Sequence, residues 1–197
     1  VELIIVKIDK KLNFVSTISR DDGSLVYLHV VPFPYEVVED NCMLLGGMFN
    51  NFFSLVGSMG APRVAAMMLR QTLKAQQDKG LLAAGPTIVD DIQRLTSVVW
   101  SDAGAWKTSP LDTALKQGIL SDEEYREVEG EIVFFMVSSA IQKPSLFVPT
   151  IGKALEMYSG QLVLLSATAF KDSLLTSKTD TDTPAPPAQQ ELSHIPS

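Results

Sequence analysis

The sequence predicts a mainly α protein with a small N-terminal β element (α+β), in which a compact helical domain is followed by a disordered polar tail. Three features predict it. Strand-like, β-branched runs are confined to the first 31 residues. From Tyr35 onward, apolar residues recur at helical spacing between cap and stop signals. After Leu175, large apolar residues almost vanish. The expected organisation is residues 1–33 as a β element of the same domain, 34–172 as the helical domain, and 173–197 as the tail.

The elements follow in order. "ELIIVKI" (2–8) is too short and too β-branched for a helix and reads as a strand. "RDDGS" (20–24) carries Asp-Gly turn chemistry, and "LVYLHVV" (25–31) follows as a strand ended by Pro32 and Pro34. Strands this short need a helical cover or more strands from a partner. Val37, Val38, Leu44, Leu45, Met48, Phe49, Phe52, Leu55 and Val56 then trace a helix with a broad apolar face, stopped by "GSMGAP". Pro62 suits the first turn of the next helix, which carries a stripe of Val64, Met67, Met68 and Leu73 and closes at Gly80. "TIVDDIQRLTSVVW" (87–100) is expected to be helical, with Thr87 as cap and Asp90 and Asp91 on its positive end. "SPLDTALKQG" (109–118) reads as a short helix with Ser109 as cap, and a helix from Ser121 to Pro144 opens with a Ser121–Glu124 capping box. A last helix is expected within 151–175, and no internal repeat is visible.

Composition narrows the function classes. A hydrophobic fraction of 46% fills a real core, and a formal charge of −7 argues against nucleic acid or an anionic membrane as partner. The lone cysteine, Cys42, rules out an internal disulfide and a cysteine-rich zinc site, and its helical neighbours Leu45 and Phe49 predict a buried thiol. "VELIIVKIDKK" lacks the long apolar core and cleavage site of a signal peptide. The chain opens on Val1 rather than methionine, as a trimmed chain, a fragment or a start at an unusual codon would. The nearly uncharged stretch from Asn41 to Pro62 is interrupted by Gly46, Gly47, Asn50, Asn51 and Ser54, too diluted to anchor in a membrane.

No residue set points to catalysis, a cofactor or a metal. The two histidines, His29 in a strand and His194 in the tail, have no motif joining them to a serine or to Cys42. Asp90 and Asp91, and the trio Asp122, Glu123 and Glu124, sit at helix starts, where capping accounts for them without a ligand. "GGMFNN" and "GSMG" lack the spacing and lysine of a phosphate loop, and Trp100 and Trp106, with no basic strip beside them, read as packing anchors.

The chain's most distinctive segment is "MFNNFFSLVGSMGAPRVAAMML" (48–69). Gly46, Gly47, Asn50, Ser54 and Gly57 form a small-residue strip that lets another backbone approach, either within the chain or from a partner. Phe49 and Phe53 stack one turn apart with Phe52 beside them, so one narrow face cannot hold all three. The expectation is a helix packed partly inward and partly against another subunit or a client. Its candidate partner-binding residues are Met48, Phe49, Phe52, Phe53, Met59 and Arg63.

"VYLHVVPFPYEVVEDN", "GAPRVAAMML", "IQRLTSVV" and "PLDTALKQGILSDEEYREVEGEIVFFMVSSA" in that order, over about residues 25–170, resemble the tail assembly chaperones of long-tailed, siphophage-type bacteriophages. The resemblance rests on a His after a short strand, a Pro-rich link into a long helix, and Gly-x-Pro-Arg-Val opening the next. It implies a non-enzymatic protein, encoded before the tape-measure protein, that coats this client and keeps it soluble until tail-tube subunits polymerise around it. It also implies residence in the host cell cytoplasm and absence from the mature virion. The tail-tube protein is a further candidate partner, as are self-association and a longer frameshifted form of the chain itself; nucleic acid and membrane are not expected. The competing reading is a structural virion protein, such as a tail-completion or connector subunit whose strands join an intersubunit sheet. A small hydrolase is the third, and would require a polar cleft of convergent titratable groups.

Overall fold

Asp22 and Gly23 close the first hairpin: the Asp22 carboxylate accepts from the Ser24 amide, and the Arg20 amide donates to the Ser24 carbonyl. The computed structural model describes residues 8–57, 59–81 and 85–176, with side chains placed except at 8–10, 55, 56 and 176. Of the strand expected over 2–8, only Ile8 lies among them, and so do only residues 173–176 of the expected tail.

The hairpin pairs β1 (Ile8–Ser19) with β2 (Leu25–Val30), in a register that sets Phe14 opposite Val30, Ser16 opposite Leu28 and Ile18 opposite Val26. Two further strands extend it, β3 (Thr96–Asp102) along β2 and β4 (Ala105–Pro110) along β3; β5 (Gly160–Leu165) lies on the free side of β1. The result is an antiparallel five-stranded sheet in the order β4-β3-β2-β1-β5. The fold is thus α+β around a large sheet, which corrects the expected small N-terminal β element: three of the five strands come from segments read as helix or loop.

The physical reason is local. In "TIVDDIQRLTSVVW" the helix α4 (Ile88–Arg94) keeps its Thr87–Asp90 capping box, but it ends at Leu95, where Thr96 begins β3. Val98 and Val99 are both fully buried, on opposite faces of the sheet, so the alternation that marks a half-exposed strand is absent. Ala103 and Gly104, both at positive φ, make the two-residue turn into β4, a conformation that costs glycine little. Pro110, expected in the first helical turn, instead ends β4 and precedes α5 (Leu111–Lys116). The last expected helix divides into a π-helical turn (Val148–Gly152), α8 (Lys153–Glu156), β5 and α9 (Ala167–Thr176). The domain boundary expected at residue 172 falls inside α9.

Both sheet faces are covered. Phe14, Leu28, Val30 and Val98 face the main core, and α6 (Asp122–Ile141) lies over them. On the opposite face Val15, Tyr27, Val99 and Trp106 are covered by α9 through Phe170, whose ring meets Tyr27 edge-on at 5.3 Å. From Val128 to Ser138 every residue of α6 is buried, as expected of a helix enclosed on all sides. Phe135 stacks on Phe14 of the sheet at 5.2 Å, while the adjacent Phe134 meets Phe52 of the outer helices at 5.5 Å. Those outer helices are α1 (Tyr35–Asp40), α2 (Cys42–Asn51) with the π-helical turn Phe52–Val56, and α3 (Ala61–Asp78); α7 (Pro144–Phe147) follows α6. Among the described residues, no helix is long and apolar enough to cross a membrane.

Candidate functional site

The Phe/Met segment folds as a helical hairpin, α2 and its π-helical turn leading through Gly57 into α3, laid across the outer side of α6. Leu45, Met48 and Phe52 point inward. Met48 and Phe52 have at most 1% of their surface exposed, so they belong to the core and cannot meet a partner while the domain is closed. Phe53 is 37% exposed, and its ring rests at 4.7 Å on that of Phe49, which is half-buried. Met59 and Arg63 are exposed. The structure therefore separates the candidate residues into a buried pair, Met48 and Phe52, a half-buried Phe49 packed against the core, and an outward set, Phe53, Met59 and Arg63.

Three exposed methionines join this surface list from outside the candidate set: Met43 on α2, 86% exposed, Met67 on α3, and Met157 after α8. Met157 is brought close by its neighbour, since the Tyr158 hydroxyl donates to the Met59 carbonyl at 2.9 Å. Cys42, expected to be buried, is exposed at the start of α2. Among the described residues, a Cβ added at Gly46 or Gly47 would meet nothing within 4 Å, so neither glycine is required there by a close helix contact.

The packing of α3 also differs from the expected stripe. Its buried residues are Ala61, Pro62, Ala65, Ala66 and Leu69, whereas Met67 is exposed and Val64, Met68 and Leu73 are half-buried. Small side chains let α3 approach α6 closely at Gly130, where a Cβ would overlap the Pro62 carbonyl oxygen. Methionine was the conspicuous apolar residue, but the close approach of these helices is made where Gly130 meets the Pro62 backbone.

Beside that contact a cleft of about 310 Å³ opens between α3 and α6. Arg63, Met67 and Arg70 line it from α3, Arg126, Glu127, Glu129 and Glu131 from α6, and Tyr158 from beyond α8. Arg70 is ion-paired with Glu129. Glu131 is 7% exposed and accepts a 2.8 Å hydrogen bond from the buried Ser16 hydroxyl of β1. Burial drives its pKa up to about 7, against the lesser pull of that hydrogen bond. Among the described residues, neither Arg63 nor Arg126 has a carboxylate partner within 4 Å. This cleft was missed in the sequence. Its only signal there was Arg63, Met67 and Arg70 at i, i+4 and i+7, on one side of α3.

The acidic clusters do what their positions predicted. Thr87 and Asp90, and Ser121 and Glu124, form reciprocal capping boxes. Glu124 is further held by Arg20, whose hydrogen bond is the main reason its pKa falls. His29 is buried in β2 with Nε2 at 2.8 Å from the Leu165 carbonyl oxygen. Trp106 packs on Tyr27 at 5.6 Å. Comparison with protein-family models, with curated proteins and with solved structures found no match to this chain.

Proposed function

We propose that this protein is a non-enzymatic tail assembly chaperone of long-tailed phages, which holds the tape-measure protein through the outward side of its α2–α3 hairpin. One observation carries the reading: the hairpin is anchored by Met48 and Phe52, yet presents Met43, Phe53 and Met59 to solvent. Flexible methionines and a partly exposed aromatic pair suit the side chains of a long helical client, because they adapt to varied apolar surfaces. The resemblance of the segments from Val26 to Ala140 to the chaperone family supports the same reading.

The competing readings lose their particular grounds. A virion subunit was favoured by short strands in need of partners, but here five strands pair within one chain. A hydrolase could use the α3–α6 cleft, yet Glu129 is committed to Arg70 and the Tyr158 hydroxyl to a backbone carbonyl. Ser16, bonded to Glu131, is fully buried and out of a substrate's reach.

The test is co-expression with the tape-measure protein of the same phage. Wild-type chain should keep that protein soluble and co-purify with it. The double variant Phe53→Asp, Met59→Asp should remain folded and lose the complex. An unaffected double variant, or recovery of the chain as a component of purified virions, overturns the proposal.

A further inference from the structure

The α3–α6 cleft is lined by three arginines and three glutamates, but among the described residues only one of those arginines is ion-paired there, and Glu131 is buried on the Ser16 hydroxyl. Of its three arginines, Arg70 is neutralised by Glu129, while Arg63 and Arg126 lack a carboxylate partner among the described residues. They come from different helices, and the close contact of Pro62 with Gly130 holds those helices in place. Two guanidinium groups on a rigid frame can each present paired N–H donors to a planar or tetrahedral oxyanion. Pro62, Ala66 and Met67 add an apolar wall, and the volume of about 310 Å³ suits a small molecule or a single side chain.

We propose that this cleft is an oxyanion-binding site, in which Arg63 and Arg126 hold a carboxylate or phosphate group carried on a short apolar body. The inference goes beyond the chaperone reading and does not depend on it. Glu127 and Glu131 line the same cleft and oppose a bound anion, so replacing the exposed Glu127 should tighten binding.

The experiment titrates inorganic phosphate and, separately, succinate into the full chain at low ionic strength. Heat of binding and the NMR signals of the arginine Nε–H groups are the readouts. Expected is saturable binding of at least one probe, weakened roughly tenfold by Arg63→Gln or Arg126→Gln. Glu127→Gln should strengthen it, and Arg94→Gln should leave it unchanged, since Arg94 pairs with Asp91 on α4. Binding of phosphate alone assigns a phosphate ligand, and binding of succinate alone assigns a carboxylate. Both arginines are exposed, so their variants should fold, and thermal melts check this. No saturable signal with either probe overturns the site, as does an equal loss in Arg94→Gln. Because neither probe is a protein, failure here and failure to bind the tape-measure protein are separate results.

Discussion

At Glu131 the burial of one carboxyl group has a thermodynamic consequence. Its folded pKa of about 7 lies above the ordinary 4.5, so between those values the folded state holds the proton more tightly than the unfolded one. Stability contributed by the protonated group is therefore present at acid pH and lost as pH rises towards and through 7. The difference amounts to about 3 kcal/mol across that window. Glu131→Gln mimics the protonated form and can still accept from Ser16. Urea midpoints at pH 5 and pH 8 should then differ by less in the variant than in wild type, with the variant the more stable at pH 8. Equal pH dependence in both would mean that Glu131 is solvated in the folded state.

Among the elements, Arg20 ties the end of β1 to the start of α6. Its Nε donates to one Glu124 oxygen at 2.5 Å, and one Nη donates to the other at 3.1 Å and to the Ile119 carbonyl at 2.6 Å. Arg20→Ala should cost about 1–3 kcal/mol at neutral pH, and Arg20→Lys should recover only part, because an ammonium cannot span both oxygens and the carbonyl. The cost should shrink as pH falls through and below the ordinary glutamate range, where the depressed Glu124 carboxylate takes its proton and the ion pair is lost. The α2 hairpin offers a sharper contrast. Phe52→Ala empties a site against Phe134 and should cost about 3–5 kcal/mol, whereas Phe53→Ser should cost under about 1 kcal/mol. Similar losses at both positions would place Phe53 in the core and remove it from the proposed client surface. The breadth of this apolar face was legible in the sequence, because three phenylalanines at 49, 52 and 53 span more than one side of a helix. Its orientation was not, since α6 decides which ring is covered and the π-helical turn from Phe52 departs from the 3.6-residue phase. Helix starts were legible at Thr87 and Ser121, where capping is a local chemistry.

For the molecule as a whole, the outer helices α2 and α3 cover α6, α6 covers one face of the sheet, and α9 covers the other. The α9 layer escaped the sequence reading because "GQLVLLSATAF" carries no proline or helix-stop glycine between Leu162 and Phe170, so strand and helix ran together as one apolar helix. What separates them is tertiary: β1 offers β5 an edge, and the far face of the sheet offers α9 an apolar surface. Two truncations test where the domain ends. Residues 177–197 contain only Leu192 and Ile195 as large aliphatic residues and no aromatic one, so their removal should change stability by under about 0.5 kcal/mol. Removing α9 as well, by stopping at Ser166, strips Phe170 from the sheet and bares Val15, Tyr27, Val99 and Trp106. The loss of one buried phenylalanine alone is worth about 3–5 kcal/mol, against a total stability of about 5–15 kcal/mol for a domain. The shorter chain should therefore aggregate or unfold far below the midpoint of the chain ending at Thr176, as read by thermal melts and size-exclusion chromatography. If both truncations melt together, α9 is an accessory to the rest of the fold, and the face beneath it is able to stand in water.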